Sequence, residues 1–144
     1  MTERPAARQV YLSDWMRIDQ DMIDQFADLT EDWNAIHVDE DAARAAGLPA
    51  PIAHGFLVLS MLAPMFADCG HPLSGRDGSL NYGFDRLRFI APVPAGSRVR
   101  ARFEAAETIV TDKGERAAMD VIVECEGGAG PALAARWILF VPKE

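Results

Sequence analysis

The chain has 144 residues, of which 49% are hydrophobic and 25% are charged, and its formal net charge is −8. This length fits a single domain, residues 1–144, and the composition is that of a globular protein rather than a disordered one. The acidic balance argues against nucleic acid as a partner. Cys69 and Cys125 belong to no CxxC motif, so we expect neither a zinc ribbon nor a disulfide framework.

Residues 1–15 lack the apolar core of a signal peptide, so we expect a cytoplasmic protein. They are predicted to form an N-terminal arm with a short strand around Gln9–Leu12. The first amphipathic segment then predicts a helix over Gln20–Leu29 with Asp19 as its N-cap. A second helix is predicted over Glu40–Ala46, with Asp39 as its cap and a C-terminal glycine just after its end.

The stretch Ala45–Ala67 carries no Asp, Glu, Lys or Arg, and its length alone would permit a membrane span. Prolines and a glycine interrupt it, so we expect a buried helix and its lead-in, and no membrane as a partner. This third helix, from about Phe56, is apolar on all sides and is predicted to be buried on every side. Pro64 leaves the Ser60 carbonyl without its helical partner, which predicts a kink or an end there.

After a turn-rich loop at 71–78, apolar residues recur at every second position, which is typical of strands. Four strands are predicted, the first with a bulge near Asp85. The sum is an α+β, hot-dog-like arrangement, in which a long central helix is wrapped by a strongly curved antiparallel sheet. The predicted strands are Leu80–Phe89, Arg98–Glu104, Arg116–Cys125 and Leu133–Val141, the last three joined by the turns Thr111–Gly114 and Gly127–Pro131.

A polar segment between the first two helices contains Asp32, Asn34 and His37. Asp32 and His37 meet only if the loop folds back on itself, because their spacing places them on different faces of a helix or strand. A carboxylate and an imidazole brought together there hold and deprotonate a water. The plain alternative is a set of turn-forming residues with an exposed histidine.

His54 and Gly55 open the apolar helix and are predicted to bind the substrate. Backbone N–H groups at a helix start carry partial positive charge, and glycine lets a ligand carbonyl approach closely, as in an oxyanion hole. Alternatively, Gly55 only permits close packing and His54 is a buried structural histidine. Ser60 on the same helix is either a substrate-facing donor or a serine bonded back to a main-chain carbonyl.

Arg86 and Arg88 on the first long strand, together with Arg98, Arg100 and Arg102, are candidates for binding phosphate groups. The plain alternative is that this row of arginines is a solvated face of the sheet. No metal is expected, because no standard ligand spacing such as HxxxH or HExxH occurs among the histidines and cysteines.

The segment Glu31–His37 resembles the motif Gly-Asp-x-Asn-Pro-(Leu/Ile/Val)-His of the MaoC-like dehydratases, the family of (R)-specific enoyl-CoA hydratases. The run Ile52–Ser60 is similar to the start of that family's central helix. Asn81–Phe89 and Pro92–Gly96 resemble the branch related to nodulation protein NodN. Glu31 and Ala35 depart from the family's glycine and proline, and Glu31 would be strained if its position requires a positive φ.

The resemblance implies a hot-dog fold that forms a homodimer, with an acyl-CoA thioester bound along the subunit junction and no separate cofactor. It implies that Asp32 and His37 are catalytic, with Asn34, Gly55 and Ser60 beside them. The expected activity is reversible hydration of trans-2-enoyl-CoA to (R)-3-hydroxyacyl-CoA. The alternatives are an acyl-CoA thioesterase, disfavoured because no carboxylate lies within 55–67, and a non-catalytic acyl-CoA-binding module.

Overall fold

The computed structural model describes residues 8–144, and this part of the chain forms six strands and five helices. Residues 1–7 of the predicted arm lie outside the described residues. In chain order the elements are β1 Val10–Leu12, β2 Met16–Ile18, α1 Gln20–Thr30, α2 Ala35–Val38, α3 Glu40–Ala45, α4 Gly55–Ser60, α5 Leu62–Asp68, β3 Leu80–Phe89, β4 Ser97–Val110, β5 Gly114–Cys125 and β6 Pro131–Pro142.

All six strands belong to one antiparallel sheet in the order β1-β4-β5-β6-β3, with β2 also paired to β4. The consecutive strands β4, β5 and β6 are the predicted meander. The short strand predicted within the N-terminal arm is β1. It pairs with β4, as does β2 just after the arm, and the two strands cover that edge of the sheet. β3 pairs with β6 at the opposite edge instead of with β4, its neighbour in sequence.

The predicted strand Arg98–Glu104 is shorter than β4, which continues to Val110 beyond the alternating pattern. The apolar periodicity fades there because the last residues of β4 are exposed. The bulge predicted near Asp85 is confirmed by a register shift between Phe84 and Arg86. A second shift, between Asn81 and Gly83, has no counterpart in the apolar pattern.

The first and third helices begin where their caps predict. An Asp19 side-chain oxygen accepts a hydrogen bond from the Met22 N–H, and the Asp39 carboxylate accepts from the N–H groups of Asp41 and Ala42. Gly47 follows α3 with a φ of 81°, the left-handed conformation that favours glycine after a helix end.

The central helix agrees with the prediction in one respect and differs from it in another. It is divided into α4 and α5 at Met61, as expected from Pro64, which removes one donor from the helical ladder. It is not buried on every side, since Phe56 is 65% exposed and Ser60 is exposed as well. The prediction of complete burial was wrong because an all-apolar surface does not say whether another part of the same chain covers each face.

The core lies between α4, α5 and the inner face of the sheet. Phe66 of α5 packs edge-on against Phe103 of β4 at 5.3 Å and against Trp137 of β6 at 5.6 Å between ring centroids. The Trp137 indole N–H donates to the Asn81 side-chain oxygen at 3.0 Å, which ties β3 to β6 through a side chain. Helices on one face of an antiparallel sheet make this an α+β fold. Within residues 8–144, no helix has the length and apolar character needed to cross a membrane.

Candidate active site

A left-handed residue reverses the chain at the end of α1. Glu31 has φ 59° and ψ 28°, and the N–H groups of both Glu31 and Asp32 donate to the Ala27 carbonyl. This is the position where the family motif has glycine, and the strain expected for Glu31 is present in its positive φ. The turn sends the polar segment back along α1 instead of away from it.

Asn34 starts the short helix α2. Its side-chain oxygen accepts from the Ile36 N–H at 3.4 Å, and its own N–H donates to an Asp32 carboxylate oxygen at 3.4 Å. Asn34 is exposed and acts on the backbone of the loop, so in this chain its contacts are those of a capping residue.

Backbone groups hold His37 in place inside this helical turn, where it is only 8% exposed. Its Nδ1 lies 2.7 Å from the Ile52 carbonyl oxygen. Because a carbonyl only accepts, Nδ1 carries the hydrogen and Nε2 keeps its lone pair. The Ile52 N–H donates to the Ile36 carbonyl at 3.0 Å, and the Gln20 side chain donates to the His37 carbonyl at 2.9 Å. The sequence gives no signal for Gln20 or for the Ile52 carbonyl, because each of these bonds has a main-chain carbonyl as its acceptor.

Asp32, His37 and His54 converge. One carboxylate oxygen and one ring nitrogen from each histidine lie within 4.8 Å of one another. Two hydrogen bonds of about 2.8 Å that meet at one water span up to roughly 5.6 Å, so the Asp32 carboxylate and the His37 ring are close enough to share one water. The loop therefore folds back as the pairing of these two residues requires.

The same three side chains have the composition of a metal site but not its geometry. The rings of His37 and His54 are stacked, with centroids 3.9 Å apart and planes at 25°. Lone pairs of ring nitrogens lie in the ring planes, so two nearly parallel rings do not direct them at a common point. We therefore retain the absence of a metal as a prediction.

The start of α4 faces an apolar cavity of about 240 Å³. Leu57 and Val58 both donate to the His54 carbonyl, which leaves the N–H groups of Gly55 and Phe56 without intrahelical acceptors. A methyl group at Gly55 would lie 3.0 Å from the Phe89 ring, so glycine keeps this approach open. The cavity is lined by His37, Ile52, Ala53, Gly55, Val58, Phe89, Ile90, Ala91, Pro92, Val93 and Ala132.

Other predicted site residues lie elsewhere. Ser60 is exposed and donates to the Phe56 carbonyl at 2.7 Å, the main-chain alternative given above. His54 is buried behind His37 and does not line the cavity. Arg86 borders a different surface groove, together with Asp120 and Arg136.

The three arginines of β4 are paired with carboxylates. Arg98 binds Glu126 through two hydrogen bonds, and Arg100 binds Glu124 at 2.9 Å. Arg102 binds Glu104 at 3.2 Å. These side chains form a solvated, charge-paired surface, as the plain alternative predicts. Neither Arg86 nor Arg88 has a carboxylate within ion-pair distance in the described part of the chain.

Comparison with known proteins assigns the chain to a family. The MaoC like domain matches residues 2–126. The chain belongs to the MaoC-like dehydratase family. Nodulation protein N of Rhizobium leguminosarum bv. viciae is 42% identical over 137 residues, which cover 90% of this chain and 81% of that protein. The 3-hydroxyacyl-thioester dehydratase Z of Mycobacterium tuberculosis (strain ATCC 25618 / H37Rv) is 40% identical over 137 residues, 93% of this chain and 89% of its own length.

The fold agrees with that assignment. The (R)-hydratase from A. caviae involved in PHA biosynthesis superposes with a TM-score of 0.77 at 27% identity, covering 98% of this chain and 100% of the other. The MaoC-like fold is thus the hot-dog fold that the sequence predicts, with a helix and sheet in the expected arrangement.

Proposed function

We propose that this MaoC-like chain catalyses the reversible hydration of trans-2-enoyl-CoA to (R)-3-hydroxyacyl-CoA. Membership of the family supports the broader class, a hydratase or dehydratase, which makes the chain an enzyme. The observation that carries the finer proposal is the convergence of Asp32 and His37, whose polar atoms lie within 4.8 Å of each other. His37 lines the same cavity as Gly55, whose N–H has no intrahelical acceptor.

The thioester carbonyl is placed against the Gly55 N–H. As water adds to C3, negative charge develops on this oxygen, and a donor already aimed at it stabilises the transition state. The partial positive charge of the helix start acts in the same direction. Removing one such donor in other enzymes costs about 2.7–4 kcal/mol, which marks this contact as a main contributor to the rate.

The water is held between the Asp32 carboxylate and Nε2 of His37, the nitrogen that its bond to Ile52 leaves with a lone pair. Its oxygen forms a bond to C3, one of its protons passes to the Asp32/His37 pair, and the C2=C3 electron pair moves toward the thioester. The pair returns a proton to C2, so the elements of water are added and the site is restored. The reverse sequence is dehydration, and neither direction uses a metal or a redox cofactor.

The substrate class rests on the resemblance and on the names of relatives, which are a 3-hydroxyacyl-thioester dehydratase and an (R)-hydratase. Coenzyme A carries phosphates, and Arg86 and Arg88 remain our proposed contacts for them. Both are on β3, the sheet's edge strand, so they would meet a ligand that runs along the junction with a second copy. We accordingly propose a homodimer, and a cytoplasmic location, for this enzyme.

The test is a panel of trans-2-enoyl-CoAs from four to sixteen carbons, followed by loss of the conjugated thioester absorbance. Products are then resolved on a chiral column. The proposal expects an (R)-3-hydroxyacyl-CoA. Release of free coenzyme A, measured with a thiol reagent, would instead favour the thioesterase, and tight binding without turnover would favour the non-catalytic module.

A further inference from the structure

His54 occupies the space behind the catalytic pair and is only 2% exposed. Its ring lies between two others, stacked on His37 at 3.9 Å and tilted against Phe26 of α1 at 4.9 Å between centroids. Its Nε2 lies 2.9 Å from the Asp32 carbonyl oxygen. One buried side chain, attached directly before Gly55, therefore contacts the segments that carry both proposed catalytic residues.

These contacts define which atom of His54 does what. Nε2 must carry the hydrogen, because the Asp32 carbonyl only accepts. Nδ1 then carries a lone pair, and it has no hydrogen-bond partner within residues 8–144. A buried acceptor without a partner is unfavourable, and an aromatic hydrocarbon ring would avoid that cost. The hydrogen bond made by Nε2 is what distinguishes histidine from phenylalanine at this position.

We propose that His54 is a positioning residue for the hydration step. The inference rests on the proposed function, since it concerns the same Asp32/His37 pair. The bond to the Asp32 carbonyl holds the reversed loop after Glu31, which carries both Asp32 and His37, while the stacked ring only fills the space beside His37. His54 acts through these two residues and not on the substrate, in keeping with its burial, since it is 2% exposed whereas Asp32 is exposed.

A role in placing reactive groups has a different kinetic signature from a role in substrate binding. A displacement of catalytic groups by about 1 Å lowers turnover by about 100-fold. Substrate binding is left nearly unchanged when the cavity wall and the Gly55 N–H are intact. We therefore expect kcat to fall while KM stays within about threefold, whereas a substrate-binding residue would raise KM at constant kcat.

The experiment compares three variants. His54→Gln carries an amide N–H at the distance of Nε2 and retains the donor to Asp32. His54→Asn has the same polarity but is too short to reach that carbonyl, and His54→Phe keeps the ring and loses the donor. We expect about a 100-fold lower kcat for the Asn and Phe variants, and recovery to within about fivefold of the wild-type value for Gln. Should the Phe variant fail to fold, the Gln and Asn pair still decides the question.

A spectroscopic readout accompanies the kinetics. The chain has three histidines, so ¹⁵N-histidine labelling gives a spectrum that single variants assign. His37 is expected to hold the Nδ1–H tautomer in the wild type and in His54→Gln, and to average between tautomers in His54→Asn. His71→Gln is the matched control, since His71 also packs among aromatic rings, Tyr11 and Phe66, but away from the catalytic pair.

The positioning role is overturned if the Asn and Phe variants keep the wild-type kcat, if Gln and Asn are equally impaired, or if KM alone changes. A wild-type enzyme that hydrates no enoyl-CoA refutes the proposed function instead. In that case the His37 tautomer in the Gln and Asn variants still decides whether His54 positions the pair.

Discussion

Replacing Glu31 by glycine is expected to stabilise the protein, because Glu31 is the non-glycine residue with a positive φ within residues 8–144. A left-handed conformation costs an L-residue about 1–2 kcal/mol, and glycine avoids that cost. Glycine also loses more conformational entropy on folding, which offsets about 0.4–1 kcal/mol of that gain. The net gain is about 0.5–1 kcal/mol, or about 2–4 °C in the melting temperature for a chain of this size.

Thermal and urea denaturation of Glu31→Gly, Glu31→Ala and wild type measure this effect. The alanine variant removes the same charge next to Asp32 but keeps Cβ, so it is expected to show no comparable gain. The mirror experiment is Gly47→Ala, at φ 81° with no atom within 4 Å of the added Cβ, which is expected to lose about 1 kcal/mol. Equal stability of Glu31→Gly and Glu31→Ala would refute the assignment of strain to this residue.

Three further predictions concern stability. Ala35→Pro lies at the first position of α2, where proline is favoured, so it is expected to raise the free energy of unfolding by about 0.4–1 kcal/mol and with it the urea midpoint. A lower midpoint would contradict the assigned start of that helix. Gly114→Ala would place Cβ 2.3 Å from the Val141 carbonyl oxygen, so it is expected to lose about 2 kcal/mol or more in urea denaturation, while Gly130→Ala, with open space around its Cβ, stays near wild type. Burial lowers the pKa of His71 from its ordinary 6.5, so the unfolded chain binds this proton before the folded chain does and stability falls as the pH drops below about 6.5. Melting temperatures of wild type and His71→Gln at pH 7 and pH 5 measure this effect. An equal fall in melting temperature between the two pH values for both proteins would contradict it.

Much of the fold could be predicted from local patterns. The caps at Asp19 and Asp39 and the break near Pro64 follow from single residues whose chemistry acts within one turn. The bulge near Asp85 is visible because the apolar phase changes there. The pairing of β3 with β6 could not be predicted, since period-two alternation says which face a residue takes but not which strand lies beside it.

In the candidate site, too, some features could be predicted from the sequence and others could not. Asp32, His37 and Gly55 are recognisable from residue type and motif, and the structure brings them to one region. The contacts that hold them could not be read from the sequence, because they run through the carbonyls of Ile52 and Asp32. Every residue has a carbonyl, so only the folded chain reveals which ones accept these bonds.

The central claim is that Asp32 and His37 together activate the water. Its most direct test is the rate of crotonyl-CoA hydration by wild type, Asp32→Asn and His37→Ala. The control is Asp28→Asn, a nearby carboxylate that accepts a hydrogen bond from the Trp33 indole N–H. Each catalytic variant is expected to lose at least about 100-fold in kcat, the general acid–base contribution, while the control retains wild-type activity. The melting temperature is expected to stay unchanged in Asp32→Asn, whose side chain is exposed, and to fall in His37→Ala, which removes a buried, hydrogen-bonded ring. Hydration near the wild-type rate in both Asp32→Asn and His37→Ala would contradict the mechanism.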